Sequence, residues 1–128
     1  MALTVFLVDD NATFLAAVRG FLVEIPDLEV IGSAQTGSDA LFQTASLSPD
    51  VVLLDIELPD INGLEAGGIM CARTQPPKVI FLSMDDSDQR RAMADAMGAL
   101  ALINKAEFVR ELVPLLERLA RAGAGTAK

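Results

Sequence analysis

Short apolar runs alternate with amphipathic stretches along the whole chain, and this alternation constrains the fold more than any other feature. Five short segments predict β-strands: Leu3–Val8, Glu29–Ser33, Val51–Leu54, Val79–Leu82 and Leu100–Ile103. Apolar residues recur at helical spacing in the segments that follow them, which cover residues 14–22, 38–47, 63–73, 86–98 and 108–119. Apolar strands that alternate with helices are typical of a parallel sheet with helices on both faces. We therefore predict an α/β fold.

The length of the chain fits a single domain. Its 128 residues are 52% hydrophobic, which is enough to build a core without disulfides or a structural metal. We predict that the domain spans residues 1–121, and that the small and polar residues 122–128 form a flexible tail or linker stub.

Two local patterns concern the last two helices. Asp86 and Gln89 have the spacing of a capping box, so we expect Asp86 to cap the fourth helix. Pro114 falls inside the fifth helix, where its missing N–H costs about 3 kcal/mol if nothing relieves the loss. We therefore expect the fifth helix to be kinked or split at Pro114.

The composition excludes several classes of function. The chain has no histidine, which excludes nucleophilic triads with a histidine base and histidine-ligated zinc. Its net charge of −8 disfavours binding to nucleic acid. No apolar run approaches the ~20 residues of a membrane-spanning helix, and Asp9 follows the first run too closely for a signal peptide. We expect a cytoplasmic domain that binds neither nucleic acid nor membrane.

Acidic and polar side chains follow four of the predicted strands. Ligands of open parallel sheets bind beyond the carboxyl ends of the strands, so these side chains mark the candidate site. They are Asp9, Asp10 and Asn11 after the first strand, residues 55–59 after the third, residues 83–86 after the fourth, and Asn104 and Lys105 after the fifth. We expect Asp9, Asp10, Asp55, Ser83 and Lys105 to converge at one edge of the sheet.

Three carboxylates at one edge need a counter-charge. Two carboxylates about 4 Å apart repel each other by about 4 kcal/mol at an effective dielectric constant of about 20. Lys105 supplies one positive charge, and oxygen ligands without histidine or cysteine suit Mg²⁺. A metal held by carboxylates beside a hydroxyl and an ammonium is suited to phosphoryl transfer. Asp55, at the end of a buried strand, is well placed to attack and accept a phosphoryl group.

These residues resemble the receiver domain of two-component response regulators over essentially Leu3–Leu119. The resemblance is carried by residues 8–11, 55–65, 81–86 and 98–105. It implies a flavodoxin-like three-layer sandwich in which five helices cover a five-stranded parallel sheet of order 2-1-3-4-5. Two motifs resemble the NarL/LuxR-type subgroup, whose receivers carry a DNA-binding domain. They are Ser83-Met84 followed by acids, and Ala106 directly after Lys105. The chain is either a stand-alone receiver or a receiver cut from a longer regulator.

The resemblance also implies which residues carry the chemistry. Asp55 would accept the phosphoryl group from a phosphohistidine of a histidine kinase or a histidine phosphotransfer protein. Asp10, Asp55 and the backbone carbonyl of Glu57 would bind Mg²⁺ directly, with Asp9 assisting through water. The domain would be a signalling switch that catalyses only its own phosphorylation and dephosphorylation. Phosphorylation would change the surface of its C-terminal half and control homodimerisation or partner binding.

The response to phosphorylation would depend on Ser83 and Lys105, which in the family contact the phosphoryl oxygens. Ser83 would be coupled to residue 102, where receivers usually carry a Tyr or Phe ring that turns inward on activation. This chain has Leu102 at that position, which weakens the expectation of such coupling. Met84 is larger than the small residue often found beside the acceptor, and would restrict access to it.

Three other functions stay open on the residues alone. A small Mg²⁺-dependent phosphohydrolase would share the fold, but its acids follow the first strand as Asp-x-Asp, whereas Asp9 and Asp10 are adjacent. A nucleotide or flavin binder would need a glycine-rich phosphate loop, and neither common pattern occurs in the chain. A degenerate receiver that binds partners without phosphate is favoured by Leu102 and disfavoured by the complete set of acids, serine and lysine.

Overall fold

The sheet of the computed structural model, which describes residues 2–126 and side chains up to Ala122, is parallel throughout. Its strands are β1 (Leu3–Val8), β2 (Leu28–Ala34), β3 (Val51–Asp55), β4 (Lys78–Ser83) and β5 (Ala101–Asn104). They lie side by side in the order β2-β1-β3-β4-β5. This order confirms the one implied by the resemblance to receiver domains.

Five helices cover the sheet and complete the three layers. They are α1 (Ala12–Leu22), α2 (Gly37–Leu47), α3 (Gly63–Cys71), α4 (Asp88–Ala96) and α5 (Phe108–Thr126), with a short 3₁₀ turn over Lys105–Glu107 before α5. Buried residues of α1 and α5 pack in one apolar cluster, and those of α2, α3 and α4 pack in another. Within the described residues, no helix is both long and apolar enough to cross a lipid bilayer.

The three inner strands, β1, β3 and β4, are apolar on both sides because each side faces a different cluster. In β1, Val5 and Leu7 belong to the cluster of α1 and α5, whereas Phe6 and Val8 belong to the cluster of α2, α3 and α4. All five residues of β3 are buried. Burial on both faces explains the nearly uninterrupted apolar runs from which the strands were predicted.

The predicted cap of α4 is wrong by one residue. Ser87 is the N-cap, and its hydroxyl accepts the N–H of Arg90 at 3.2 Å. The carboxylate of Asp85 accepts the N–H of Ser87 at 3.0 Å, which fixes the turn before the helix. Asp86 instead pairs with Arg91, at 3.3 Å between Oδ2 and Nη2.

Pro114 does not split α5, which is one continuous helix. The residue lies on the exposed side of the helix, where water can bond the carbonyl that lost its partner. Leu112, Leu116 and Ala120 are spaced at four residues and are all buried on the side that faces the sheet. The helix runs to Thr126, so the backbone of residues 122–126 of the predicted tail is helical; residues 127–128 lie outside the described part.

Candidate functional site

The carboxyl ends of β1, β3, β4 and β5 meet at one edge of the sheet and carry the candidate site. In the register of the sheet, Val8 pairs with Leu54, the residue before Asp55. Asp9, Asp10 and Asp55 each place a carboxylate oxygen within 4.8 Å of the other two. Asp9 and Asp55 are 1% and 3% exposed, and Asp10 is exposed. The structure therefore brings the three acids together where the sequence placed them.

Backbone hydrogen bonds hold one oxygen of each buried acid. The Oδ1 atom of Asp9 accepts the N–H of Asn11 at 2.9 Å, and Oδ1 of Asp55 accepts the N–H of Glu57 at 3.1 Å. Asn11 in turn caps α1, since its side chain accepts the N–H of Phe14 at 3.0 Å. The Oδ2 atoms of both acids are left to face the centre of the site.

Lys105 supplies the positive charge at the centre of the site. Its Nζ lies 2.7 Å from Oδ2 of Asp9 and 3.4 Å from Oδ2 of Asp55, and its side chain is only 16% exposed. The same atom lies 4.7 Å from the centroid of the Phe14 ring, a cation–π contact. This role of Phe14 was not predicted from the sequence. The available signal was its place in the first turn of the helix that follows Asp9 and Asp10.

The two charges at the centre shift each other's titration. Burial raises the pKa of Asp55 to about 6 and the charge of Asp9 adds to the shift, while the Glu57 N–H and Lys105 oppose it. Burial alone would lower the pKa of Lys105. Its hydrogen bond to Asp9 and the charge of Asp55 outweigh burial, so the pKa lies above its ordinary value of 10.5. Lys105 therefore stays an ammonium, but one ammonium faces three carboxylates.

The donor set fits a hard divalent cation. The ligands on offer are carboxylate oxygens, which Mg²⁺ prefers. Oδ2 of Asp9 is buried, and apart from the Lys105 ammonium at 2.7 Å it has no hydrogen-bond donor among the described residues. A buried carboxylate oxygen with spare acceptor capacity is costly unless a cation satisfies it. Asp9, Asp10 and Asp55 are thus equipped to hold Mg²⁺.

Ser83 and Leu102 lie on the adjacent strands β4 and β5. Ser83 is 2% exposed, and its hydroxyl accepts the N–H of Asp85 at 3.0 Å. Leu102 is buried in the same cluster as Phe81, and its carbonyl accepts Nη1 of Arg91 at 2.9 Å. Met84 is 65% exposed.

Asp60, which the sequence analysis did not single out, anchors the loop that follows Asp55. Its carboxylate accepts the N–H groups of Gly37 and Ser38 at 2.8 and 2.9 Å, and the hydroxyl of Ser38 at 2.6 Å. The bonds from the Ser38 hydroxyl and from these backbone groups lower the pKa of Asp60 to about 2. The loop that carries Glu57 is therefore tied to the start of α2.

Comparison with known proteins shows which family the chain resembles. Residues 5–117 match the family model of the response regulator receiver domain. The chain is 36% identical over 109 residues to the transcriptional regulatory protein LiaR of Bacillus subtilis, covering 84% of this chain and 51% of LiaR. It is 35% identical over 103 residues to a protein-glutamate methylesterase/protein-glutamine glutaminase of Methanospirillum hungatei, covering 79% of this chain and 29% of that protein.

A solved structure supports the fold over nearly the whole chain. The signal receiver domain of the response regulator NarL from Mycobacterium tuberculosis superposes with a TM-score of 0.85 at 26% identity, covering 94% of this chain and 97% of that one. The chain spans between 29% and 51% of the length of the two curated relatives named above. The similarity to both relatives therefore covers only part of each of them.

Proposed function

The chain belongs to the response regulator receiver domains of two-component signalling, and from this premise we propose that Asp55 is its phosphoryl acceptor. The observation that carries the proposal is the setting of this carboxylate. Asp55 is 3% exposed at the end of β3, with one oxygen on the Glu57 N–H and the other 3.4 Å from Lys105. Fixed at the sheet edge where ligands bind, it is oriented for attack on a phosphoryl group.

Asp9, Asp10 and Asp55 would hold Mg²⁺, with the backbone carbonyl of Glu57 as a further ligand. The bound ion would neutralise charge on the phosphoryl oxygens and offset the repulsion among the three acids. Asp60 supports this role of Glu57 because it fastens the intervening loop to α2. The backbone bonds to Asp9 and Asp55 keep both carboxylates in place before the ligand arrives.

In the transfer, an oxygen of Asp55 forms a bond to phosphorus while the phosphorus–nitrogen bond of a kinase phosphohistidine breaks. The imidazole nitrogen takes up a proton as it leaves, and Asp55 becomes an acyl phosphate. Lys105 can turn from Asp9 to the new phosphoryl oxygens, since its ammonium already lies between the two acids. The Ser83 hydroxyl would donate to the same phosphoryl group.

The domain acts as a switch and not as an enzyme on other substrates. Receiver domains of response regulators interact with histidine kinases, and we propose such a kinase or a histidine phosphotransfer protein as the donor here. The movement of Ser83 and Lys105 would shift α4, β5 and α5 between pre-existing states and change homodimerisation or partner binding. Leu102 would contribute less to that shift than an aromatic residue at this position would, because it has no ring to reorient.

The proposal is tested by intact mass spectrometry after incubation with acetyl phosphate. We expect the protein to gain one phosphate in Mg²⁺ and none in EDTA. Asp55→Asn should gain none, whereas Glu29→Gln, which removes an equal charge from an exposed position on β2, should behave as wild type. Phosphorylation of Asp55→Asn at the wild-type rate, or no phosphorylation of the wild-type protein in Mg²⁺, would overturn the proposal.

A further inference from the structure

Two acidic residues flank the mouth of the site, and one side chain reaches both of them. Glu57 lies two residues after Asp55, and Asp85 lies two residues after Ser83. Nη2 of Arg90 is 3.6 Å from Oδ2 of Asp85 and 4.0 Å from Oε2 of Glu57. We call these three residues the rim bridge. It joins the loop after β3 to the loop after β4.

Arg90 is held in place by more than its charge. Its side chain is only 21% exposed, although the carboxylates of Glu57 and Asp85 are 70% and 53% exposed. It lines the same surface pocket as residues 56–62 of the loop after Asp55. An arginine packed against that loop loses less conformational freedom in an ion pair than one that is free in solvent.

A chain of hydrogen bonds links the rim bridge to Ser83. The Ser83 hydroxyl accepts the N–H of Asp85 at 3.0 Å, and Oδ1 of Asp85 accepts the N–H of Ser87 at 3.0 Å. The hydroxyl of Ser87 then accepts the N–H of Arg90 at 3.2 Å. Asp85 thus holds the start of α4 with one oxygen and faces Arg90 with the other. A movement of the Ser83 side chain can therefore displace Arg90 through the hydrogen bonds of this single loop.

From this geometry we infer that Arg90 is a positioning residue of the phosphorylation reaction, which neutralises Glu57 and Asp85 across the mouth of the site. The inference rests on the proposed role of Asp55. Without Arg90, two unpaired carboxylates stand beside a cluster that already holds three, and an anionic phosphodonor is repelled. Arg90 therefore speeds phosphorylation by anionic donors.

The same neutralisation slows hydrolysis of the phosphorylated form. In hydrolysis, a water oxygen bonds to phosphorus and the bond between phosphorus and the Asp55 oxygen breaks. The Asp55 carboxylate is restored, and the two protons of the water leave with inorganic phosphate. A Glu57 carboxylate that is freed from Arg90 can accept a hydrogen bond from the attacking water and orient it. Loss of Arg90 should therefore change the two rates in opposite directions, which a loss of stability alone would not do.

The test compares Arg90→Gln with a matched change at the next residue. Arg91 donates to the carbonyls of Asp86 and Leu102 and pairs with the Asp86 carboxylate at 3.3 Å, and neither Glu57 nor Asp85 is among its partners in the described structure. Arg91→Gln therefore removes the same charge from α4 without opening the rim bridge. Arg90→Lys keeps the charge, and Arg90→Gln combined with Glu57→Gln restores the net charge of the rim.

We expect Arg90→Gln to slow phosphorylation by acetyl phosphate about threefold or more at low salt, and less at high salt. Phosphoramidate carries less negative charge, so its reaction should be slowed less. Hydrolysis of phosphorylated Arg90→Gln should be faster than that of wild type. Arg90→Lys and the double variant should recover most of the phosphorylation rate, and Arg91→Gln should resemble wild type. Intact mass spectrometry gives both rates, and thermal unfolding checks that each variant is folded.

The outcomes separate this inference from the proposed function. A wild-type protein that takes up phosphate, together with an Arg90→Gln variant of unchanged rates, would overturn the inference and leave Asp55 as the acceptor. Equal slowing by Arg91→Gln, or slowing that is independent of salt, would also overturn it. A wild-type protein that takes up no phosphate would overturn the proposed function, and the inference with it.

Discussion

Asp55 combines two properties that oppose each other, burial and a charge. It lies among apolar strands at 3% exposure, which raises its pKa to about 6 from an ordinary value of 3.8. Lys105 and the Glu57 N–H stabilise its ionised form, but they do not fully offset the loss of water. A carboxylate held in this way can attack a phosphoryl group at neutral pH, and it costs the folded state free energy when no metal is bound.

This cost gives a pH dependence of defined sign. Between about pH 3.8 and pH 6, the unfolded chain binds fewer protons at residue 55 than the folded one, so the contribution of Asp55 to stability falls as pH rises. In EDTA, we expect the effect of Asp55→Asn on the free energy of unfolding to be more stabilising at about pH 7 than at about pH 4. The effects at the two pH values should differ by roughly 1–3 kcal/mol. Urea unfolding of both proteins at the two pH values measures this difference. An Asp55→Asn effect that is the same at both pH values would contradict it.

At the scale of elements, the close approach of α3 to the end of β3 constrains the path of the loop that follows Asp55. Gly63 begins α3, and its N–H donates to the carbonyl of Ile56 at 2.7 Å. A Cβ at this position would lie 2.2 Å from the carbonyl oxygen of Asp55 and 2.5 Å from Cα of Ile56. These are backbone atoms that cannot move aside cheaply. Only glycine lets α3 start this close to the end of β3.

Two glycine substitutions should therefore have opposite effects on stability. Gly63→Ala should destabilise the fold by about 1–3 kcal/mol, because the backbone of β3 must shift. Gly20 lies inside α1, and a Cβ added there would meet nothing within 4 Å, so Gly20→Ala should stabilise the fold by about 0.5–1 kcal/mol. Urea unfolding at neutral pH compares the two. Equal tolerance of both substitutions would contradict the close approach at Gly63.

At the scale of the whole molecule, the architecture could be predicted from the sequence because it depends on patterns that are regular along the chain. Five apolar runs, separated by segments with helical periodicity, predict a parallel sheet covered by helices. The carboxyl ends of parallel strands lie at the same edge of such a sheet. Asp9, Asp10, Asp55 and Lys105 could therefore be placed together without coordinates. The strand order required the resemblance to a family, since the periodicity alone does not specify it.

The features that the sequence did not reveal depend on contacts between distant parts of the chain. Arg90 reaches Glu57 across 33 residues of sequence, and no local pattern marks which arginine will do so. Lys105 over Phe14 is a contact of the same kind. The cap of α4 was misplaced because Asp85, Asp86 and Ser87 are all good capping residues, and a hydrogen bond within the turn decides between them.

The whole molecule should also respond to Mg²⁺ through the acid cluster. Binding to the folded state alone stabilises it by about 3 kcal/mol when the free ion is at about 100 times its dissociation constant. We expect Mg²⁺ to raise the melting temperature of the wild-type protein, and to raise that of Asp10→Asn much less at equal concentration. Glu29→Gln serves as the control for a lost surface charge and should respond as wild type. Equal shifts in all three proteins would show that the ion does not bind at Asp10.

The most direct test of the central claim is to locate the phosphate. The protein is phosphorylated with acetyl phosphate in Mg²⁺, treated with borohydride, which reduces an acyl phosphate of aspartate to homoserine, and mapped by peptide mass spectrometry. Asp55 as the acceptor predicts homoserine at residue 55 and unchanged aspartate at residues 9 and 10. Homoserine at Asp9 or Asp10, or a phosphate that survives borohydride on another side chain, would contradict it.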